Sequence, residues 1–136
     1  MMRVNGVRLA AWVFAALSVV VMLFHTAAIL GAPVGDLTMG GRWPGVLPPA
    51  ARLLSGLSLG VMGLTATVVL ARAGVIRRTL PGWAMRAVLG YLALAILMHF
   101  ATPSAAERRM WLPVILILTA SALWVELSAQ GPQAGG

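Results

Sequence analysis

Four stretches of this chain are long and apolar enough to cross the hydrocarbon core of a bilayer, and none has an arginine in its interior. They run from residue 9 to 31, 53 to 71, 87 to 106 and 110 to 128. Crossing that core takes about 20 predominantly apolar residues in a helix. An arginine at the centre of such a helix would cost roughly 2.5–3.5 kcal/mol. Within lipid there is no water to bond the backbone, so each span must pair its own N–H and C=O groups, as an α-helix does. The expected fold is all-α: a polytopic membrane protein with four transmembrane helices in a bundle. Composition excludes a soluble domain. Sixty per cent of the residues are hydrophobic and 10% are charged, where soluble domains carry about 25% charged residues. A 136-residue globule has too little interior to hide that much apolar side chain.

The formal net charge of +7 comes from ten arginines against Asp36, Glu107 and Glu126. The arginines sit in short groups between the apolar runs, with no continuous basic stripe interleaved with aromatics, so nucleic acid is excluded as a partner. They are expected to anchor the spans at the membrane surface. Arg3, Arg8, Arg72, Arg77, Arg78 and Arg86 fall on one side, and Arg42, Arg52, Arg108 and Arg109 on the other. The positive-inside bias, led by the arginines flanking the first helix, places both termini in the cytoplasm. The expected location is a bacterial inner (plasma) membrane. Trp12, Trp83 and Trp124 then fall at one interface, and Trp43 and Trp111 at the other. The first apolar run exceeds the 7–15 residues of a signal-peptide core and reads as a retained helix. With no cysteine in the chain, disulfides and thiolate chemistry are excluded.

The segment from Ala32 to Arg52 is rich in glycine and proline but also holds Leu37, Met39, Trp43, Val46 and Leu47. A connection this long is functional or disordered as a rule, and its apolar residues favour a loop folded against the membrane surface. Residues 129–136 are small and polar, and a disordered tail is expected there. In the second span Gly56, Gly60, Gly63 and Thr67 share a face that lets another backbone approach closely. Internal packing is expected of it, with Gly60→Leu destabilising, while Leu57, Leu64 and Val68 meet lipid.

Almost every ionisable group that is not a cytoplasmic anchor falls on the outer side: His25, Asp36, Arg42, His99 and Glu107. Ionisable residues within membrane spans are functional candidates by default. Tyr91, Ala95 and His99 share one helical face, as do Ser18, Met22 and His25. If those faces meet, two imidazoles approach each other under the outer loop, an arrangement able to bind a metal, ligate haem or relay protons. A lone histidine near a helix end more commonly bonds a neighbour. Glu107 has arginines within reach in Arg42, Arg52, Arg108 and Arg109, and Ser104-Ala105-Ala106-Glu107 has the form of a capping box. Glu126 lies within reach of Arg72 or Arg86. Gly40-Gly41-Arg42-Trp43-Pro44-Gly45 is either a tight turn anchored by Trp43 or a clamp in which Arg42 meets a lipid headgroup. No catalytic triad, carboxylate pair or zinc-protease motif is present in the sequence, and no enzyme activity, cofactor or metal is assigned.

The stretch from His25 to Pro48, with Gly31, Pro33, Gly35, Gly40, Gly41, Arg42, Pro44, Gly45, Leu47 and Pro48, resembles small bacterial four-helix integral membrane proteins of unknown function. Ser104, Glu107 and Arg108 followed by Trp111 and Pro113 look like the second signature of that group. The resemblance implies the four-helix fold and no activity. Small multidrug transporters share the size and helix count but depend on a glutamate in the first helix, which this chain lacks. The leading expectation is a non-enzymatic membrane protein whose outer surface binds a lipid or a partner, in the bilayer alone or as a homo-oligomer. The alternatives are a small transporter or channel component working as an oligomer, and a metal- or haem-binding redox protein using His25 and His99.

Overall fold

A computed structural model describes residues 2–131. These form helices α1 (Met2–Leu30), α2 (Pro49–Arg72), α3 (Ala84–Ala101) and α4 (Ala105–Gln130), with no strand among the described residues. All four helices are long and apolar enough to cross a membrane. The protein is a four-helix membrane bundle. Both ends of the described chain lie at one end of it (the terminal end), and the α1–α2 loop lies at the other (the loop end).

Local chemistry sets the boundaries. Gly31 leaves α1 with a φ of +97°, a left-handed conformation that favours glycine. Pro49 opens α2, where its missing N–H removes no helical hydrogen bond. The third span ends at Ala101, the nearer of its two possible ends, and does not continue to 106. Thr102 precedes Pro103, which disfavours helical backbone in the residue before it, and Thr102 accordingly takes a ψ of 134°. The fourth helix begins at Ala105, ahead of the apolar span's start at 110 and where the capping box puts it: the Ser104 hydroxyl accepts the Glu107 N–H at 3.1 Å and caps the helix there. It continues through residues 129 and 130, where a disordered tail was expected; residues 132–136 of that expected tail lie outside the described residues.

Helix α1 packs along both α2 and α4, and α4 packs on α3, whereas α2 and α3 barely touch. The bundle is therefore open on its α2–α3 side. Phe14, Val69, Leu92, Leu118 and Val125 are fully buried at its centre, and leucines such as Leu57, Leu64, Leu94 and Leu97 face outward, as lipid allows.

Two expectations for α2 need correction. The close approach to α1 follows Gly56 and Gly63, where an added Cβ would meet Ile29 at 3.9 Å and Met22 at 3.5 Å. Gly60 is turned to the side of that seam, and a Cβ there meets nothing within 4 Å. Val68 is buried, because the α2–α3 connection folds back at this end of the helix and packs Leu80 on the core.

The α1–α2 loop folds onto the loop end through two 3-10 turns, Gly35–Leu37 and Met39–Gly41. Leu47 is buried beneath it with Ala28 and Ala51, and Val34, Met39 and Trp43 close over them. Arg52 donates to the carbonyls of Leu47 and Ile29, tying the start of α2 to the loop and to the end of α1. Gly35 donates to the Gly45 carbonyl at 2.8 Å, and a Cβ on Gly35 would overlap the Trp43 carbonyl.

Thermal unfolding in detergent should separate these glycines. Gly63→Leu overpacks the α1–α2 seam and should cost about 1–3 kcal/mol, with Gly35→Ala at or above the upper end of that range. Gly60→Leu should melt like the wild type.

Candidate functional site

Beneath the loop lies a cavity of about 170 Å³, bounded by all four helices. Its floor is apolar, from Val21, Met62, Leu92, Ile115 and Leu118, and its aromatic walls are Phe24, Tyr91 and Trp111. His25, His99 and Glu107 line it as well. The structure thus brings together three of the five candidate residues, and Tyr91, Ala95 and His99 lie along one cavity wall, as their spacing predicts. An apolar cavity of about 150 Å³ is known to accept a benzene-sized molecule, while drug-sized ligands need about 300–1,000 Å³.

Glu107 is the most connected residue of the site and is 7% exposed. Its Oε2 accepts the Gly40 N–H and the Thr102 hydroxyl, each at 2.8 Å. Its Oε1 faces His99 Nε2 at 3.9 Å, beyond direct hydrogen bonding. The expected arginine partners are engaged elsewhere: Arg52 on the Leu47 and Ile29 carbonyls, Arg108 on Phe100 O, Arg109 on Ala105 O, and Arg42 stacked over the Trp43 ring at 5.0 Å. The capping box is half formed, since the Glu107 carboxylate is drawn to the loop while the Ser104 N–H turns to Thr102 Oγ1.

The histidines present unused polar atoms. His99 Nδ1 lies 2.8 Å from the Ala95 carbonyl. A carbonyl only accepts, so Nδ1 carries the proton, and the Nε2 of a neutral ring turns its lone pair toward Glu107. His25 Nδ1 is buried with no hydrogen-bond partner. Phe24 packs edge-on against both His25 and Trp111, holding the rings upright.

Asp36 and Arg42 do not line the cavity; they serve the loop above it. Asp36 Oδ2 accepts the Gly45 N–H at 3.4 Å, and its carbonyl accepts the Ser104 hydroxyl at 2.8 Å. Arg42 is exposed. The glycines of the Gly40–Gly45 motif supply left-handed turns, with φ of +73°, +68° and +77° at Gly40, Gly41 and Gly45.

Trp111, expected at the interface, is 6% exposed and donates through Nε1 to the Leu37 carbonyl at 2.8 Å. The signal that could have found this place is its spacing, one helical turn after Glu107 on the same face. Thr102 and the Gly40 N–H are partners that no spacing rule discloses.

Among the described residues no three His, Cys, Asp or Glu side chains are grouped to hold a metal ion. Between cavity and terminal end the core is filled by Phe14, Val69, Leu118 and Val125, and the Ser18 hydroxyl is spent on Phe14 O. No protein family, curated protein or solved structure matches the chain.

With a neutral His99 ring, Nε2 and Glu107 Oε1 are two acceptors 3.9 Å apart, a spacing that suits a single heavy atom bearing two hydrogens, a water or an ammonium group. Aromatic walls with a carboxylate also suit an organic cation.

Replacing Glu107 by Ala leaves the Gly40 N–H and the Thr102 hydroxyl without partners, at about 1–3 kcal/mol for each buried group. Hydrogen exchange should then rise across residues 39–45 and the melting temperature should fall. Glu107→Gln keeps a side-chain oxygen for Gly40 and should lie between Ala and wild type.

Proposed function

We propose that this is a non-enzymatic binding protein of a bacterial inner membrane, and that its ligand is a small amine with an apolar body, held under the loop. The observation that carries the reading is the convergence of unused polar atoms on one cavity: the His99 Nε2 lone pair, Glu107 Oε1 and the orphaned His25 Nδ1. An ammonium group placed between His99 and Glu107 satisfies both acceptors and neutralises the carboxylate, and a ring-sized body fits against Phe24, Tyr91 and Trp111. The gap between α2 and α3, with Ser58 on one side and Ala95 on the other, offers a lateral entrance from the bilayer.

In this reading the loop is a fixed lid, pinned to Glu107 through Gly40 and to Trp111 through Leu37. Both termini face the cytoplasm, as the arginine bias favours.

Benzylamine is a suitable probe, with benzyl alcohol as its neutral counterpart of equal size. In detergent, benzylamine should raise the melting temperature of the wild type in a saturable manner. Benzyl alcohol should do so far less, and His99→Leu should abolish the difference. Equal shifts from both compounds, or a benzylamine shift that survives His99→Leu, would sink the proposal.

The orientation has its own test, which the cysteine-free chain makes clean. Val46→Cys should react with a membrane-impermeant maleimide on intact cells, and Thr79→Cys only after lysis.

A further inference from the structure

On the open side of the bundle, in the half nearer the terminal end, lie two pockets that the proposed binding function does not use. One is an apolar groove of about 310 Å³ between α2 and α3, walled by Val61, Leu64, Val68, Trp83, Ala87 and Val88. The other is a polar pocket of about 240 Å³ at the α2–α3 connection, lined by Arg72 and Arg78. They are neighbours, since Leu80, Pro81 and Ala84 line both. Tyr91 borders the groove and the cavity under the loop, so the groove stops where that cavity starts.

We propose that these two pockets form one site for an anionic phospholipid, with an acyl chain in the α2–α3 groove and the phosphate against Arg72 and Arg78. Shape and charge match a single amphiphile. The groove is apolar, and the cations stand at its mouth, where it meets the α2–α3 connection through Leu80, Pro81 and Ala84. Trp83 is 63% exposed beside that mouth, as an interfacial anchor would be.

Charge complementarity selects an anionic headgroup. Of the chain's three carboxylates, Asp36 and Glu107 are at the loop end, which leaves Glu126 alone among Arg8, Arg72, Arg77, Arg78 and Arg86. Glu126 Oε2 takes the Arg72 Nε at 2.7 Å, and its Oε1 takes Gln130. That bond fixes the plane of the Arg72 guanidinium and leaves its two terminal nitrogens for another acceptor. Arg78 is exposed, and no carboxylate among the described residues pairs with it. Guanidinium groups match phosphate oxygens in two-point hydrogen bonds. The chain groove by itself gives no preference, because lipid tails are as apolar as leucine. Selectivity therefore has to come from the arginines.

Trp83 provides the readout. The full-length protein is reconstituted in phosphatidylcholine vesicles containing a small, equal fraction of brominated phosphatidylglycerol or of brominated phosphatidylcholine. Quenching assigned to Trp83 is the difference between wild type and Trp83→Phe. Brominated phosphatidylglycerol should quench Trp83 at several-fold lower mole fraction than brominated phosphatidylcholine. Arg78→Gln should reduce that preference about fivefold. Because Arg72→Gln alone would strand Glu126, the paired Arg72→Gln/Glu126→Gln variant tests the second arginine, and it too should lose the preference. Ala87→Phe fills the groove and should reduce quenching by both lipids.

Equal quenching by the two lipids in the wild type would overturn the site, leaving a groove filled by bulk lipid. So would a phosphatidylglycerol preference that survives both arginine variants. Shielding of Trp83 from both lipids would mean that a second copy of the chain covers the groove, and would overturn it as well.

Discussion

The loop end of this protein depends on one buried carboxylate. In a bundle whose outer surface meets lipid, non-helical backbone near the hydrocarbon needs partners from within the protein. Glu107 supplies them at the point where the α1–α2 loop crosses the α3–α4 turn, accepting from Gly40 on one side and Thr102 on the other. Trp111, one turn further along α4, adds a bond to Leu37. The lid, the ends of α3 and α4, and the roof of the cavity are thus set by a single stretch at the start of α4. The same carboxylate then leaves Oε1 facing His99, so the brace for the loop is also the polar wall of the cavity.

The architecture was legible because the bilayer imposes one coarse requirement, about 20 apolar residues per crossing, and the chain meets it four times. Helix ends were less legible. Thr102-Pro103 ends α3 at Ala101 where the apolar run alone left 101 or 106 open, and the Ser104 cap, legible as a capping box, starts α4 at Ala105, ahead of its apolar span. The face of α2 was read from glycine spacing alone, which does not say how α1 crosses it; Gly56 and Gly63 lie on the seam and Gly60 does not.

The site was partly legible. His25, His99 and Glu107 stood out because ionisable groups are scarce in membrane spans, and Tyr91 lies on the wall that its spacing from His99 predicts. Asp36 and Arg42 carried the same signal and belong to the loop, since side-chain identity does not tell whether a loop residue points into a cavity or braces a turn. Of the two readings of Glu107, the capping box with Ser104 forms in part and the pairing with a neighbouring arginine does not, for a physical reason. Burial favours short, directed bonds to a backbone N–H and a hydroxyl, and the arginines at this end find carbonyl and aromatic partners instead.

The most direct test of the binding account is the state of the two imidazoles. With only two histidines in the chain, nitrogen-15 spectra can be assigned by a single His25→Gln substitution. His99 should appear with its proton on Nδ1, and its Nε2 resonance should move when benzylamine is added and stay in place with benzyl alcohol. A His99 ring with its proton away from Nδ1, or an Nε2 resonance indifferent to the amine, would contradict the account.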